Sequence, residues 1–208
     1  MADGDSLPGK DRIKSLPRWA IVAFAARCAS RALAPRIGAD HKLPRRHREA
    51  AIEAVRYAEL AAAQGAADVD DVEQYSPYRT CVPLPPSQLA VVESSASSVV
   101  QVESHAVVRS ASHAARSAHF AVVARGTGEW GSRVAYRYNA AMFAQDNERK
   151  ADESSSEHAV QAMNAASQAG VSITEILADL ELLFDIAKRE KWNKHSLVPV
   201  AVFEQAVS

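Results

Sequence analysis

SQLAVVESSASSVVQVESHAVVRSASHAARSAHFAVVAR, residues 87–125, decides the fold class. Val92, Ala96, Val100, Val107, Ala111, Ala114, Ala118 and Val122 recur at intervals of 4-4-7-4-3-4-4. At the helical rotation per residue they fall within an arc of about 120°. A seam of alanine and valine lets a neighbouring helix approach closely. Ser94, Ser95, Ser97 and Ser98 weaken helix propensity, so the stretch reads as one long helix or as two with a break there. Gly126, Gly128 and Gly131 read as the end of it.

The flanking sequence is helical too. Ser15-Leu16-Pro17 supplies a capping hydroxyl and a first-turn proline, and Pro35 closes that helix near Ala34. A second helix runs from about Pro44 to Gly65, with Ile52, Val55, Ala58 and Ala62 on one stripe. A fourth is predicted over about 132–145 and a fifth over about 152–169, stopped by Gly170. The sixth opens on Ser172 and Glu175, a capping box, and repeats Ile173, Ile176, Leu177, Leu180, Leu183 and Phe184. Lys188, Arg189 and Lys191 close it favourably against the helix dipole. No segment alternates with a period of two. The sequence therefore predicts an all-α, antiparallel bundle of about six helices, with a long irregular loop at 66–86 after the second. Residues 1–14 read as a flexible N-terminal tail, and 15–208 as a single helical domain with 66–86 as a candidate divide between sub-bundles.

A chain of 208 residues forms one domain of ordinary size, and its 48% apolar content excludes full disorder. The net charge of -1 gives no global pull toward nucleic acid or an anionic membrane, so neither is expected as a partner. No window approaches the roughly 20 apolar residues that span a bilayer. Two cysteines, Cys28 and Cys81, make no disulfide framework, and a cytoplasmic location is expected. Charge is nevertheless arranged in blocks. Residues 1–56 hold twelve Lys and Arg against six acids, whereas 57–104 hold one against seven. Residues 105–144 hold five against one, and 145–208 six against eleven. Such blocks favour antiparallel neighbours of opposite sign, and they also leave charged faces for partners.

Several clusters are candidate sites. His105, Arg109, His113, Arg116 and His119 form a basic stripe nearly opposite the alanine–valine seam, so burial of the seam would expose the stripe. Its spacings of eight and six between histidines do not match helical metal ligands, and no metal or other cofactor is expected. A solvated face is the ordinary reading of such a stripe, and a surface for an acidic partner the sharper one. Asp68, Asp70, Asp71 and Glu73 form an acidic loop, able to neutralise the Arg45-Arg46-His47-Arg48 cluster or to meet a partner. The Asp68-x-Asp70 start fails as a calcium loop because Glu73 and Arg79 stand where glycine and glutamate are required. Gly126-x-Gly128-x-x-Gly131 matches the dinucleotide fingerprint by letter, but a helix leads into it where a strand is needed. Cys28, on an apolar helix face, reads as an inert small hydrophobe. No nucleophile elbow, phosphate loop or zinc-protease motif is present.

Two stretches carry a resemblance. Trp19-Ala-x-x-Ala-Phe24-Ala-Ala-Arg27-Cys28-Ala-x-Arg31, together with Arg48-x-x-Ala-Ile52-x-x-Ala, resembles the opening of a bacterial family of alanine-rich helical proteins whose activity is uncharacterised. The end, Leu183-Phe184-x-Ile-Ala-x-x-Glu190-x-Trp192 and then Pro199-Val-x-Val-Phe203, is similar to it as well, although Ala201-Val202 stands where the family has a second proline. The first two helices and Ala106–Ala124 also resemble helical immunity proteins of polymorphic toxin systems, which bind and neutralise a toxin. The resemblance covers about half the chain and supplies no catalytic residue. It implies a non-catalytic helical protein that binds a partner protein, a toxin or effector, in the manner of an immunity factor. The competing expectations are an enzyme or ligand-binding bundle using His158, Tyr136 or Tyr138 and an arginine, or an adaptor for a neighbouring effector.

Overall fold

A computed structural model describes residues 6–37, 43, 45–65, 102–133 and 138–204. Every regular element among them is a helix: α1 (Lys10–Lys14), α2 (Arg18–Leu33), α3 (Arg45–Gln64), α4 (Val102–Arg133), α5 (Tyr138–Gln168), α6 (Ile173–Arg189) and α7 (Ala201–Glu204), with a 3-10 turn at Ala34–Arg36. The all-α expectation holds. The expected loop at 66–86 and the first stretch of the seam, Val92 to Val100, lie outside the described residues.

Two helices form the centre. Along α2 every residue from Arg18 to Ala29 is buried, with Trp19 and Phe24 at 1% and 0% exposure. A helix buried on every side has no solvent face and must be enclosed by others, and its two buried arginines, Arg18 and Arg27, are paired with carboxylates. On α4, Val107, Ala111, Ala114 and Ala118 of the predicted seam are buried, but so are Ala106, Val108, Ser110, Ala115, Ser117, Ala121 and Ala124. The expected division of this helix into a core edge and a water edge is therefore too simple. α2, α3 and α5 all pack against it, and among its described side chains only Arg109 is exposed.

Helix boundaries depart from the sequence reading in three places. Gly126, Gly128 and Gly131 do not end α4, which continues to Arg133. Each glycine costs about 1 kcal/mol relative to alanine, but extending a nucleated, packed helix is far easier than starting one. The predicted fourth and fifth helices share a single element, α5, with no break over the polar stretch 146–151. Asp146 pairs with Arg149 at 2.8 Å and with Lys150 at 2.6 Å, the i,i+3 and i,i+4 contacts that support a solvated helix. Residues 10–14 are not a flexible tail. They form α1, whose Ile13 is fully buried.

Ion pairs set the direction of packing. Lys10 meets Glu157 at 2.5 Å, Lys14 meets Glu153 at 2.9 Å, and Arg18 reaches Asp152 at 2.6 Å and Glu148 at 2.5 Å. As one number rises the other falls, so this stretch of the chain runs antiparallel to α5. The expected attraction between oppositely charged blocks is realised in these pairs. On the other side of α2, Arg31 reaches Glu175 and Arg27 reaches Asp179, which sets α6 antiparallel to α2. α6 starts on the predicted capping box: Ser172 Oγ accepts from the Glu175 amide at 3.2 Å, and the Glu175 carboxylate accepts from the Ser172 amide at 3.1 Å.

Asp179 is a buried charge held by two arginines of α2. Arg27 Nη2 donates to its Oδ1 at 2.5 Å, and Arg31 Nε donates to Oδ2 at 2.6 Å. Arg27 Nη1 also donates to the Val202 carbonyl and so ties α7 to the same point. The side chains of Arg27 and Asp179 are each only 2% exposed. Removing one partner strands the other in a low-dielectric interior. Asp179→Ala is expected to cost about 3–5 kcal/mol, measured as a lower urea midpoint at unchanged slope. A loss below about 1 kcal/mol would show that the clamp does not hold α6 and α7 to the core.

Candidate functional site

α4 and α5 form a helical hairpin, and the small residues along it bring their backbones within reach of each other's side chains. Ser110 Oγ donates to the Ala162 carbonyl at 2.8 Å. Two turns on, Ser117 Oγ donates to the Ser155 carbonyl and Ser155 Oγ donates back to the Ser117 carbonyl, each at 2.9 Å. A serine hydroxyl can bond a carbonyl on a facing helix only at close backbone approach, which alanines on both sides permit. The register that puts Ser110 at Ala162 and Ser117 at Ser155 places His113 opposite His158.

Those two histidines meet through Nδ1 atoms 3.2 Å apart, with ring planes 21° from parallel and centroids at 5.4 Å. Two imidazole nitrogens at that distance must share one proton, one donating and the other accepting. Phe120, two turns along α4 from His113, stacks on His158 with ring centroids 5.4 Å apart and planes 7° from parallel. His119 meets Phe120 edge-on, and its buried Nδ1 has no hydrogen-bond partner among the described residues. Arg109 is exposed at one end of this cluster and Arg116 is half-buried within it.

Burial, the neighbouring His158 and the Arg109 cation together push His113 down to about 4. His158 is lowered by burial and by Arg116, partly offset by a hydrogen bond with Gln161 and by Glu157. His119 is lowered by burial. At neutral pH the cluster is thus a set of uncharged rings flanked by two permanent cations. Of the sequence-derived stripe, the structure brings Arg109, His113, Arg116 and His119 to this strip. It adds His158, which lies on α5 and which no periodicity within one helix could have joined to it, and Phe120, which helical periodicity places on the same face of α4, seven residues after His113. The expectation that the stripe is turned out to water is corrected: of these four only Arg109 is exposed, the other three are half-buried, and His113 is packed against His158 of α5. The His105 side chain lies outside the described residues, as do Asp68, Asp70, Asp71 and Glu73.

Other groups have structural roles. In the 45–48 cluster His47 is buried at 4% exposure and Arg45 pairs with Glu49 at 2.7 Å. Burial drives the Cys28 thiol far above its ordinary range, so it is a packed hydrophobe without nucleophilic character. A cleft of about 350 Å³ between Pro17, Arg18, Ile21, Asp152 and Lys194 is lined by cations already engaged with carboxylates. A smaller one, about 110 Å³, lies between Arg31, Arg36, Gly170 and Glu175. Neither includes His158, and Tyr136 and the Tyr138 side chain lie outside the described residues. Among the described residues, no group of three or more His, Cys, Asp or Glu is arranged to hold a metal ion. No described helix is long and apolar enough to cross a membrane.

Comparison with known proteins gives no match to a family model, a curated protein or a solved structure.

The histidine pair has a consequence for stability. His113 is lowered to about 4 in the folded chain against 6.5 unfolded, so the unfolded chain binds more protons between those values. Its contribution is complete above about pH 6.5 and is lost as pH falls toward 4. Between pH 6.5 and 5 the loss should be on the order of 1 kcal/mol, after allowance for partial exposure. Urea unfolding across that interval, compared with His113→Gln, tests it. The variant's profile should be flatter there, and an identical profile would remove His113 as the cause.

Proposed function

We propose that the protein is a non-catalytic helical binding protein whose α4–α5 strip docks an acidic surface of a partner protein. The observation that carries this reading is the grouping of uncharged aromatic rings, His113, His158 and Phe120, beside the guanidinium groups of Arg109 and Arg116. Arginine and aromatic side chains together are the composition enriched at protein–protein hot spots. A guanidinium fork matches a carboxylate in two-point geometry, which points to Asp and Glu on the partner. The rigid hairpin beneath holds these groups in place before binding, so little ordering entropy opposes it. The resemblance to immunity proteins suggests a toxin or effector as the partner and a cytoplasmic setting, with Asp68, Asp70, Asp71 and Glu73 as a second contact region.

The catalytic alternative is less well supported. The Nδ1 atoms of His113 and His158 face each other, and neither described cleft is lined by them.

The reading is tested by affinity capture from the native host, with wild type and Arg109→Glu as baits. Arg109 is exposed and makes none of the bundle's described ion pairs, so its reversal should leave the melting temperature within about 2 °C. Loss of the captured acidic partner, by about tenfold or more in affinity, is expected. Undiminished capture by Arg109→Glu would place the docking surface elsewhere.

A further inference from the structure

Resting on the reading of the α4–α5 strip as a docking surface, we infer that docking of carboxylates there is coupled to uptake of one proton by the His113–His158 pair. The geometry carries the inference. With Nδ1 facing Nδ1 at 3.2 Å, one ring holds the shared proton and has its Nε2 as a lone pair, while the other accepts and carries its proton on Nε2. One Nε2 of the pair is therefore always basic. Adding a proton there turns the donor ring into an imidazolium and leaves the inter-ring bond intact. A second proton would put hydrogens on both facing nitrogens and break that bond. The pair can thus take one proton without disturbing the α4–α5 register, and no more than one.

The free protein resists even that proton. The charged and titratable groups acting on the pair are Arg109, Arg116 and His119 from α4 and Glu157 from α5, and Glu157 is itself bridged by Lys10 of α1. Both arginines disfavour an imidazolium beside them, and Glu157, divided with Lys10, offsets them only in part. A carboxylate brought in by a partner reverses the balance. It pairs with the exposed Arg109 and offers an acceptor to a protonated Nε2, the situation in which an opposite charge raises a histidine by about 1–3 pH units. By linkage, whatever raises proton affinity on binding makes binding tighter at lower pH. Above about pH 5 the partner's own carboxylates stay ionised, so the effect lies between neutrality and mild acidity.

Poly-aspartate of about twenty residues serves as the acidic probe, titrated onto the full chain at low salt at pH 7.5 and pH 5.5. Binding should be about three- to tenfold tighter at pH 5.5, the range expected when one proton enters a site that strengthens toward it. In His113→Asn/His158→Gln binding should weaken at pH 7.5 with loss of the two rings, and the ratio of the affinities at pH 5.5 and pH 7.5 should fall to about one. In Arg109→Glu binding should be lost at both pH values. Histidine side-chain NMR of the unaltered protein supplies a second readout should the double variant fold poorly: saturating probe should move the His113 and His158 titrations to higher pH. Binding that is sensitive to Arg109→Glu yet equal at both pH values, with unmoved histidine titrations, would overturn the proton coupling and leave the docking surface standing. No binding at either pH, or binding indifferent to Arg109→Glu, would overturn both.

Discussion

The structure depends on how closely α4 can be approached. Its buried positions from Ala106 to Ala124 are alanine, serine and valine, and three helices, α2, α3 and α5, pack against it. Such a core gains little from burying any one side chain, because alanine removes a small apolar area from water. It gains from density: short side chains let backbones come together, and each contact adds dispersion energy that a looser packing would forfeit. Of the larger residues that anchor the bundle, Trp19 and Phe24 sit on α2 and Met163 on α5, which pack against α4, and Ile176, Leu180 and Leu183 sit on α6, which packs against α2. The central helix is the narrow member and its neighbours supply the bulk.

Close approach obliges polar groups to find partners, because a buried hydroxyl left alone carries a desolvation cost of about 1–3 kcal/mol. The serines of α4 and α5 meet this by bonding carbonyls across the interface, and the histidines meet it by bonding each other. These contacts also fix the register of the hairpin: a one-residue slip would turn each serine and histidine away from its partner. The same constraint that holds the helices together therefore builds the candidate site. Neutral imidazoles are stable there because they satisfy each other, and Arg109 reaches water at the margin.

Charge is handled differently on the two sides of α2. Toward α5, the pairs formed by Lys10 and Lys14 are partly exposed, and they orient more than they stabilise. Toward α6, the buried Arg27–Asp179 pair also holds the Val202 carbonyl, so a single point joins α2, α6 and α7. A buried pair of this kind is weak evidence of net stability and stronger evidence of specificity, since other arrangements would leave one of its charges unpaired.

Much of this was legible in the residues. The helical class, the Gly65 and Ser172–Glu175 boundaries, the inertness of Cys28 and the burial of Val107, Ala111, Ala114 and Ala118 follow from spacing, capping chemistry and polarity, which act within a few residues along the chain. The basic stripe was legible as a set of residues, but its environment was not. Glycines at 126–131 read locally as a stop, and only packing along the hairpin carries the helix past them. With that stop misplaced, nothing in the sequence aligned residue 113, or Phe120 on the same face of α4, with residue 158. Arg27 and Asp179 lie 152 positions apart, and neither belongs to a local motif. Sequence determines which faces a helix offers. Which face meets which, and so which groups share a proton or a charge in the interior, is settled by the simultaneous packing of all the helices, because burial and dielectric are properties of the assembled neighbours and not of the chain's order.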